Sequence, residues 1–270
     1  MPQNKIEDIF MRSILTIAGS DSSGGAGVQA DLKTFEAFGL FGTSAITVLT
    51  AQNTTGVTSI EEVSPEFVES QIDAVLNDID ISAIKIGMLY SREIIEVVRG
   101  KIERLSIPIV VDPVSISKAG SNLLKDDAIE QMKTLFKYSS VITPNLFEAK
   151  KLFNYKFGNS SSFQTLREAN YPILIKNHKL LKKDKEFSID LLFNSGVKTV
   201  FESESIKTEN LHGTGCSYSS AIASGLALGK TLTESISDAK EFINEALLKA
   251  PKIGNGAGPI NHKEGGKILL

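Results

Sequence analysis

Ser13-Ile14-Leu15-Thr16-Ile17-Ala18-Gly19-Ser20-Asp21-Ser22-Ser23-Gly24-Gly25-Ala26-Gly27 is an apolar run that empties into a polar, glycine-rich loop. The run reads as a buried strand and the loop as the piece beyond its end. Across residues 28–38, Val28, Leu32, Phe35 and Phe38 recur at helical spacing, and Gly39 stops the pattern. A strand, a glycine loop and a helix therefore follow one another directly.

The alternation continues. Residues 43–50 form a strand running into the polar turn Ala51-Gln52-Asn53-Thr54-Thr55-Gly56, and Ser64-Pro65-Glu66 opens a helix over 67–77. Strands at 83–88 and 108–114 bracket a helix over 93–104, and a loop at 118–121 leads to a helix over 126–136. A strand over 139–145 precedes a helix over 146–153, while 154–170 is too polar to assign. After a strand at 172–176, residues 187–193 and 197–202 read as a hairpin about Asn194-Ser195-Gly196. Helices over 217–228 and 232–250 follow. Nearly continuous apolar strands separated by helices predict an α/β fold: a mostly parallel sheet, helices on both faces, one antiparallel edge. A single domain over 13–270 is expected, with 1–12 as an N-terminal extension.

Composition narrows the function. With 41% hydrophobic and 23% charged residues among 270, the chain is ordinary globular protein. Its net charge of −3 argues against a nucleic-acid surface, which calls for clustered basic excess. One cysteine excludes an internal disulfide framework and the usual structural zinc sites. The polar N-terminal residues, and the lack of any run of about 18 apolar residues, predict a cytoplasmic protein with no membrane partner.

Leu211-His212-Gly213-Thr214-Gly215-Cys216-Ser217 runs straight into a small-residue helix pattern. Glycines flanking Thr214 allow a tight turn whose N–H groups converge at the helix's positive end, a place for an anion. The lone cysteine lies inside it, where a helix N-terminus is expected to lower the thiol pKa. The plainer reading is a loop capping a core helix around a small buried cysteine. In parallel sheets ligands bind beyond the carboxyl ends of the strands. The segment 19–27, Gln52, Met88, Asp112, Asn145 with Glu148, and Lys176 all fall at such ends, so a shared cleft is expected. Neither GxxxxGK[ST] nor GxGxxG occurs, so the phosphate cradle is of another kind.

In order along the chain, these stretches resemble the hydroxymethylpyrimidine and phosphomethylpyrimidine kinases of thiamine biosynthesis, within the ribokinase-like superfamily. The likeness rests on residues 18–34, Ala51-Gln52-Asn53-Thr54, Lys85-Ile86-Gly87-Met88, Asp112-Pro113-Val114, residues 143–149, His212-Gly213-Thr214-Gly215-Cys216 and Gly258-Pro259-Ile260-Asn261-His262. It implies a three-layer α/β/α sandwich, with ATP and Mg2+ as cofactors, an aminopyrimidine substrate and a homodimer. Asp31, Gln52 and Met88 are then expected at the ring, with Gly19, Ala26 and Val114 walling it; a solvated charge, a loop hydrogen bond and core packing are the plainer readings of the first three. Asn145 and Glu148 resemble the superfamily's magnesium and phosphate element, although their spacing equally makes a helix capping pair. By the same resemblance Asp112 aids that region and Lys176 reaches the ATP phosphates; a turn-forming carboxylate and a solvated edge lysine are the alternatives. The backbone of Gly213, Thr214, Gly215 and Cys216 is expected to hold the transferring phosphoryl group, with Cys216 as base.

Three departures from the family pattern stand out. Lys176-Asn177-His178-Lys179 replaces the usual Lys-Gly-Gly-His, the stretch between Glu148 and Pro172 is short, and Ser115-Ile116-Ser117 is more polar than usual. They leave two other readings open: a vitamin B6 kinase, and a catalytically weak protein that binds pyrimidine phosphate.

Overall fold

Two greasy layers sandwich one sheet, and the strands supply both by alternation. In the computed structural model, which describes residues 10–114 and 128–269, Leu15 and Ile17 of the first strand face one core while Ile14 faces the other. Ile84 and Ile86 against Ala83, Val111 against Val110, and Ile173 and Ile175 against Leu174 repeat the pattern. Side chains of period two point to opposite faces, so a strand covered on both sides has to be apolar throughout.

The elements are β1 (Ser13–Asp21), α1 (Gly27–Ala37), β2 (Phe41–Asn53), β3 (Gly56–Glu62), α2 (Pro65–Leu76), β4 (Ile81–Ile86), α3 (Arg92–Ile102), β5 (Ile109–Val111), α4 (Ala128–Met132), β6 (Val141–Ile142), α5 (Leu146–Phe153), α6 (Ser160–Arg167), β7 (Ile173–Lys182), β8 (Lys185–Asn194), β9 (Val197–Glu204), α7 (Thr214–Ala227), α8 (Leu232–Leu248) and α9 (His262–Gly266). Among the described residues the strands form one sheet in the order β3-β2-β1-β4-β5-β6-β7-β8-β9. Pairing is parallel from β2 through β7 and antiparallel at β2–β3, β7–β8 and β8–β9. Residues of α2, α3, α4 and α6 fill one core; those of α1, α7 and α8 fill the other. No helix among the described residues is long and apolar enough to cross a membrane.

The predicted class is therefore the observed one, with three local differences. A second antiparallel edge, β3, follows the turn at residues 53–56, where Asn53 Oδ1 accepts from Thr55 N at 2.9 Å and Thr55 Oγ1 at 2.6 Å. Its half-exposed side chains, Val57 to Glu62, lack a buried strand's apolar continuity. The unassigned stretch 154–170 holds α6, and the expected helix over 126–136 is α4 tightening into a 3-10 turn over Lys133–Tyr138. The expected loop at 118–121 lies outside the described residues. Of the expected extension, Arg12 is tied into the fold, its guanidinium donating to Ala227 O.

Local sequence explains the helix starts. Ser64 and Ser91 accept from Phe67 N and Ile94 N, and Thr231 with Glu234 forms a capping box at α8. Helices α7 and α8 meet where Gly225 leaves no room: a Cβ there would stand 2.6 Å from Ser235 Oγ and 2.8 Å from Ser235 Cβ. Gly225→Ala is accordingly expected to cost about 1 kcal/mol net, the overpacking exceeding the gain in helix propensity. Urea denaturation reads this directly, and an unchanged or raised midpoint would show that the two helices can separate freely.

Candidate active site

The strand ends open into a cavity of about 810 Å3. Sheet order gives it a direction: Gly19, Gln52, Met88 and Val114 line it at the β2-β1-β4 side, and Ser205, Thr208 and Asn244 line it at the β9 and α8 side. Between them lie Asp112, Asn145, Glu148, Lys176 and the residues Gly213 to Cys216. Thirteen of the fourteen expected site residues thus share one wall; Asp31 is the exception.

Gly19 has to be glycine because the wall is tight. A Cβ there would stand 2.7 Å from Val48 Cγ1 and 3.2 Å from Met88 Sδ. Met88 packs with Val48, Ile60, Tyr90 and Val114, so it is both a core residue and part of the cavity wall. Ala26 completes this apolar slot beside the Gln52 carboxamide, whose Oε1 accepts from Thr50 Oγ1 at 3.1 Å.

Asp31 stands behind the wall, fully buried, and is neither a solvated first-turn charge nor a residue of the cavity surface. Lys85 Nζ donates to its Oδ1 at 3.0 Å and Oδ2 at 2.9 Å, Thr16 Oγ1 to Oδ2 at 2.7 Å and Ser220 Oγ to Oδ1 at 2.7 Å. Sequence spacing placed it in the first turn, but α1 starts at Gly27, so Asp31 is its fifth residue, past the first turn and on a buried face.

Asp112 and Lys176 form a second buried pair, 2.8 Å apart, with Thr143 Oγ1 and Ser219 Oγ donating to the carboxylate. Lys176 is only 7% exposed, so it is no solvated edge lysine. Asn145 and Glu148 do make a capping box: Glu148 N donates to Asn145 Oδ1 and Asn145 N to Glu148 Oε2, each at 2.9 Å. The same two residues line the cavity. Asn177, where glycine is usual, takes φ +69° and donates its N–H to Asp190 Oδ1 at 2.7 Å. Asparagine tolerates the left-handed region, so the missing glycine is conformationally replaced.

Helix α7 begins three residues earlier than its sequence suggests. Thr214, Gly215 and Cys216 are already its first turn, and Gly213 is the N-cap at φ +80°. First-turn N–H groups have no intrahelical acceptor; Thr214 N donates back to Leu211 O at 3.3 Å, and Gly215 and Cys216 follow it on the cavity wall. The thiol departs from expectation. Burial pushes Cys216 up to about 11; the Lys85 ammonium opposes this, and Asp31 and Asp112 add to it. Desolvation outweighs the helix dipole that was expected to lower it.

Two groups escaped sequence reasoning. Asp21 Oδ2 accepts from Ala26 N at 2.8 Å and Gly25 N at 3.1 Å, and His212 Nε2 lies 2.7 Å away. This clasp joins the glycine loop to the α7 turn, where a Cβ on Gly213 would fall 1.8 Å from Gly25 O. Their signal was present as polar residues inside glycine-rich motifs, which read as loop. The other group is Asp190, whose Oδ2 accepts from Lys240 Nζ at 2.7 Å and Tyr218 Oη at 2.9 Å at the far side of the cavity. Nothing in one sequence pairs residues so far apart.

Burial alone would raise the Asp21 pKa, but hydrogen bonds from His212 and Ser23 hold it at about 2. A depressed carboxylate stabilises the fold above its unfolded value near 3.8 and loses that contribution as pH falls through about 2. Asp21→Asn is therefore expected to cost about 2 kcal/mol at pH 7, with the deficit shrinking between about pH 4 and 2. Urea titrations at several pH values check it; a deficit independent of pH would assign the loss to packing.

The sequence profile described as phosphomethylpyrimidine kinase matches residues 21–261. A hydroxymethylpyrimidine/phosphomethylpyrimidine kinase of Rhizobium meliloti is 42% identical over 257 residues, covering 92% of this chain and 96% of that protein. The thiamine biosynthesis bifunctional protein ThiED of Geobacter sulfurreducens is 44% identical over 93% of this chain, which spans 52% of that longer protein. Among solved structures, an ADP complex of Bacillus subtilis pyridoxal kinase superposes with TM-score 0.82 at 32% identity, over 94% of this chain and 98% of that one.

Proposed function

The chain belongs to the phosphomethylpyrimidine kinase family, and from that premise we propose that it transfers phosphoryl groups from ATP to 4-amino-5-hydroxymethyl-2-methylpyrimidine and then to its monophosphate, in thiamine biosynthesis. The observation that carries this reading is one continuous cavity. It joins an apolar, amide-tipped slot at Gly19, Gln52, Met88 and Val114 to an anion site made by Lys176 and the α7 N-terminus.

The slot suits a flat heteroaromatic ring, with the Gln52 carboxamide able to pair with a ring nitrogen or exocyclic amine. Asp31 acts from behind through Lys85. With the ring so held, its hydroxymethyl oxygen bonds to the γ-phosphorus of ATP, the bond from that phosphorus to the ADP oxygen breaks, and the hydroxyl proton passes to the Cys216 sulfur in its deprotonated form. In the second step a phosphate oxygen of the monophosphate is the acceptor. The reaction needs positioning and charge stabilisation above all. The N–H groups of the Gly213–Cys216 turn and the Lys176 ammonium supply fixed positive potential where the phosphoryl charge develops.

Magnesium favours oxygen donors and keeps several waters, and the Asn145 carboxamide oxygen with the Glu148 and Asp112 carboxylates, all lining the cavity, are donors of that kind. When bound it would neutralise phosphate charge. The homodimer belongs to the same reading and is checked by sedimentation. The shared fold with a pyridoxal kinase supports a vitamin B6 substrate as the second reading, since pyridoxal also carries a hydroxymethyl group.

ADP release with the pyrimidine, its monophosphate and pyridoxal, measured alongside calorimetric binding, separates the readings. Turnover of both pyrimidines is expected; turnover of pyridoxal alone, or binding without turnover, overturns the proposal. In the same assay Lys176→Met should lower kcat by about 10²-fold, the scale of losing one electrostatic contact to the transferring group. Cys216→Ala should lower kcat by about 10²-fold with the KM for ATP little changed, as for loss of a general base. Near-normal turnover of the alanine variant would leave Cys216 with only the shape of the turn.

A further inference from the structure

Lys85 is the one cation of β4, set in a strand that is otherwise Ile81, Ser82, Ala83, Ile84 and Ile86, and its side chain is fully buried. A lysine in such a strand has to be paired. Its partner Asp31 is equally buried, and Asp31 is held from the opposite side by Ser220 of α7. Ser220 lies four residues after Cys216, one helical turn on, so both occupy the same face of α7. Lys85 and Cys216 line the cavity, whereas Asp31 does not. The ion pair thus reaches the cavity through its lysine, and the same cavity is lined by the chain's only cysteine.

We propose that Lys85 is a positioning residue for Cys216, a fixed buried cation that stabilises negative charge on the sulfur, with Asp31 holding the lysine and moderating its field. This deepens the kinase reading and rests on it for the step in which the charge matters. As the acceptor oxygen bonds to the γ-phosphorus and ADP departs, the hydroxyl proton passes to the Cys216 thiolate, giving the thiol. The thiolate is regenerated by release of that proton to water; because burial leaves the thiol pKa at about 11, the thiolate is the minor form, and its amount is what the Lys85 cation raises. Lys85 keeps its own proton throughout.

The surroundings of the sulfur are of mixed sign and on balance favour the thiol, with Lys85 opposing that balance. From β4 it faces Lys85, from α1 Asp31, and from the end of β5 Asp112, itself paired with Lys176 of β7; the Gly27 N–H donates to it from the glycine loop. Burial and the two carboxylates raise the thiol, and Lys85 and the Gly27 N–H oppose them. For Lys85, burial works against the charge, but the Asp31, Cys216 and Asp112 groups outweigh it and hold its pKa above the usual lysine value. The lysine therefore remains a cation at any working pH, as a fixed counter-charge must.

The test is the alkylation rate of Cys216 by iodoacetamide at pH 8 with neither nucleotide nor pyrimidine present. Because the chain has one cysteine, the signal has one source. Lys85→Met should alkylate more slowly and Asp31→Asn faster, each by about threefold or more, since a one-unit shift in thiol pKa changes the thiolate about tenfold and its nucleophilicity partly offsets that. The double variant should fall between them. Changes in the same direction in both single variants, or in neither, overturn the proposal, because loosened packing exposes the thiol whichever charge is removed. If Lys85→Met does not fold, Asp31→Asn decides alone: an unchanged or slower rate overturns it. Opposite shifts in a chain that fails to phosphorylate either pyrimidine would keep the Lys85 assignment and discard the substrate reading.

Discussion

Helix α7 points its N-terminus at the cavity because two buried carboxylates hold it there. Ser219 donates to Asp112 and Ser220 to Asp31, and each carboxylate carries a buried lysine, Lys176 and Lys85. Burying charge is costly, and a hydrophobic substitute for such a pair is often as stable or more so. Two pairs under one helix end are therefore poor evidence for stability and good evidence for a site that needs fixed charge. Consecutive serines project about 100° apart on a helix, which lets one turn grip both sides of the cleft.

The glycine contacts serve the same end. Gly19 lets β1 pass Val48 and Met88, and Gly213 lets the α7 turn approach Gly25 where no side chain fits. Close backbone approach concentrates N–H groups around a small volume, and the Asp21–His212 clasp fixes the spacing of the two loops. Asn177 shows how far a departure from the family pattern can be tolerated. Its left-handed backbone is one that glycine also adopts, and the Asp190 contact fixes it there.

The fold was legible because buried parallel strands declare themselves: β1, β4 and β5 are continuous apolar runs ending in glycine or aspartate. The edge strand β3 was not, since half its side chains meet solvent, and neither was α6, an eight-residue helix with only two large apolar side chains, Phe163 and Leu166. Within the site, Gln52, Asn145, Glu148 and Lys176 were found because strand ends are where ligands bind. Asp31 was put one turn too early in α1 and Cys216 in the loop before α7 rather than in its first turn, and both were misjudged in environment. The dipole and exposure arguments that apply to a lone helix fail when the helix end is buried against other charges. Lys85 could have been suspected from its apolar neighbours, but its partner is invisible without the fold.

The contacts that build the cleft span most of the chain. His212 meets Asp21 across 191 positions, Ser220 meets Asp31 across 189, and Ser219 meets Asp112 across 107. Such closures cost chain entropy before they return any stability. The sheet can assemble from neighbouring strands, but the anion site comes into being only when the last third of the chain closes over the first. A nascent or C-terminally shortened chain consequently keeps the core on the α2 and α3 face but lacks α7 and α8, and with them most of the other core and one wall of the cleft.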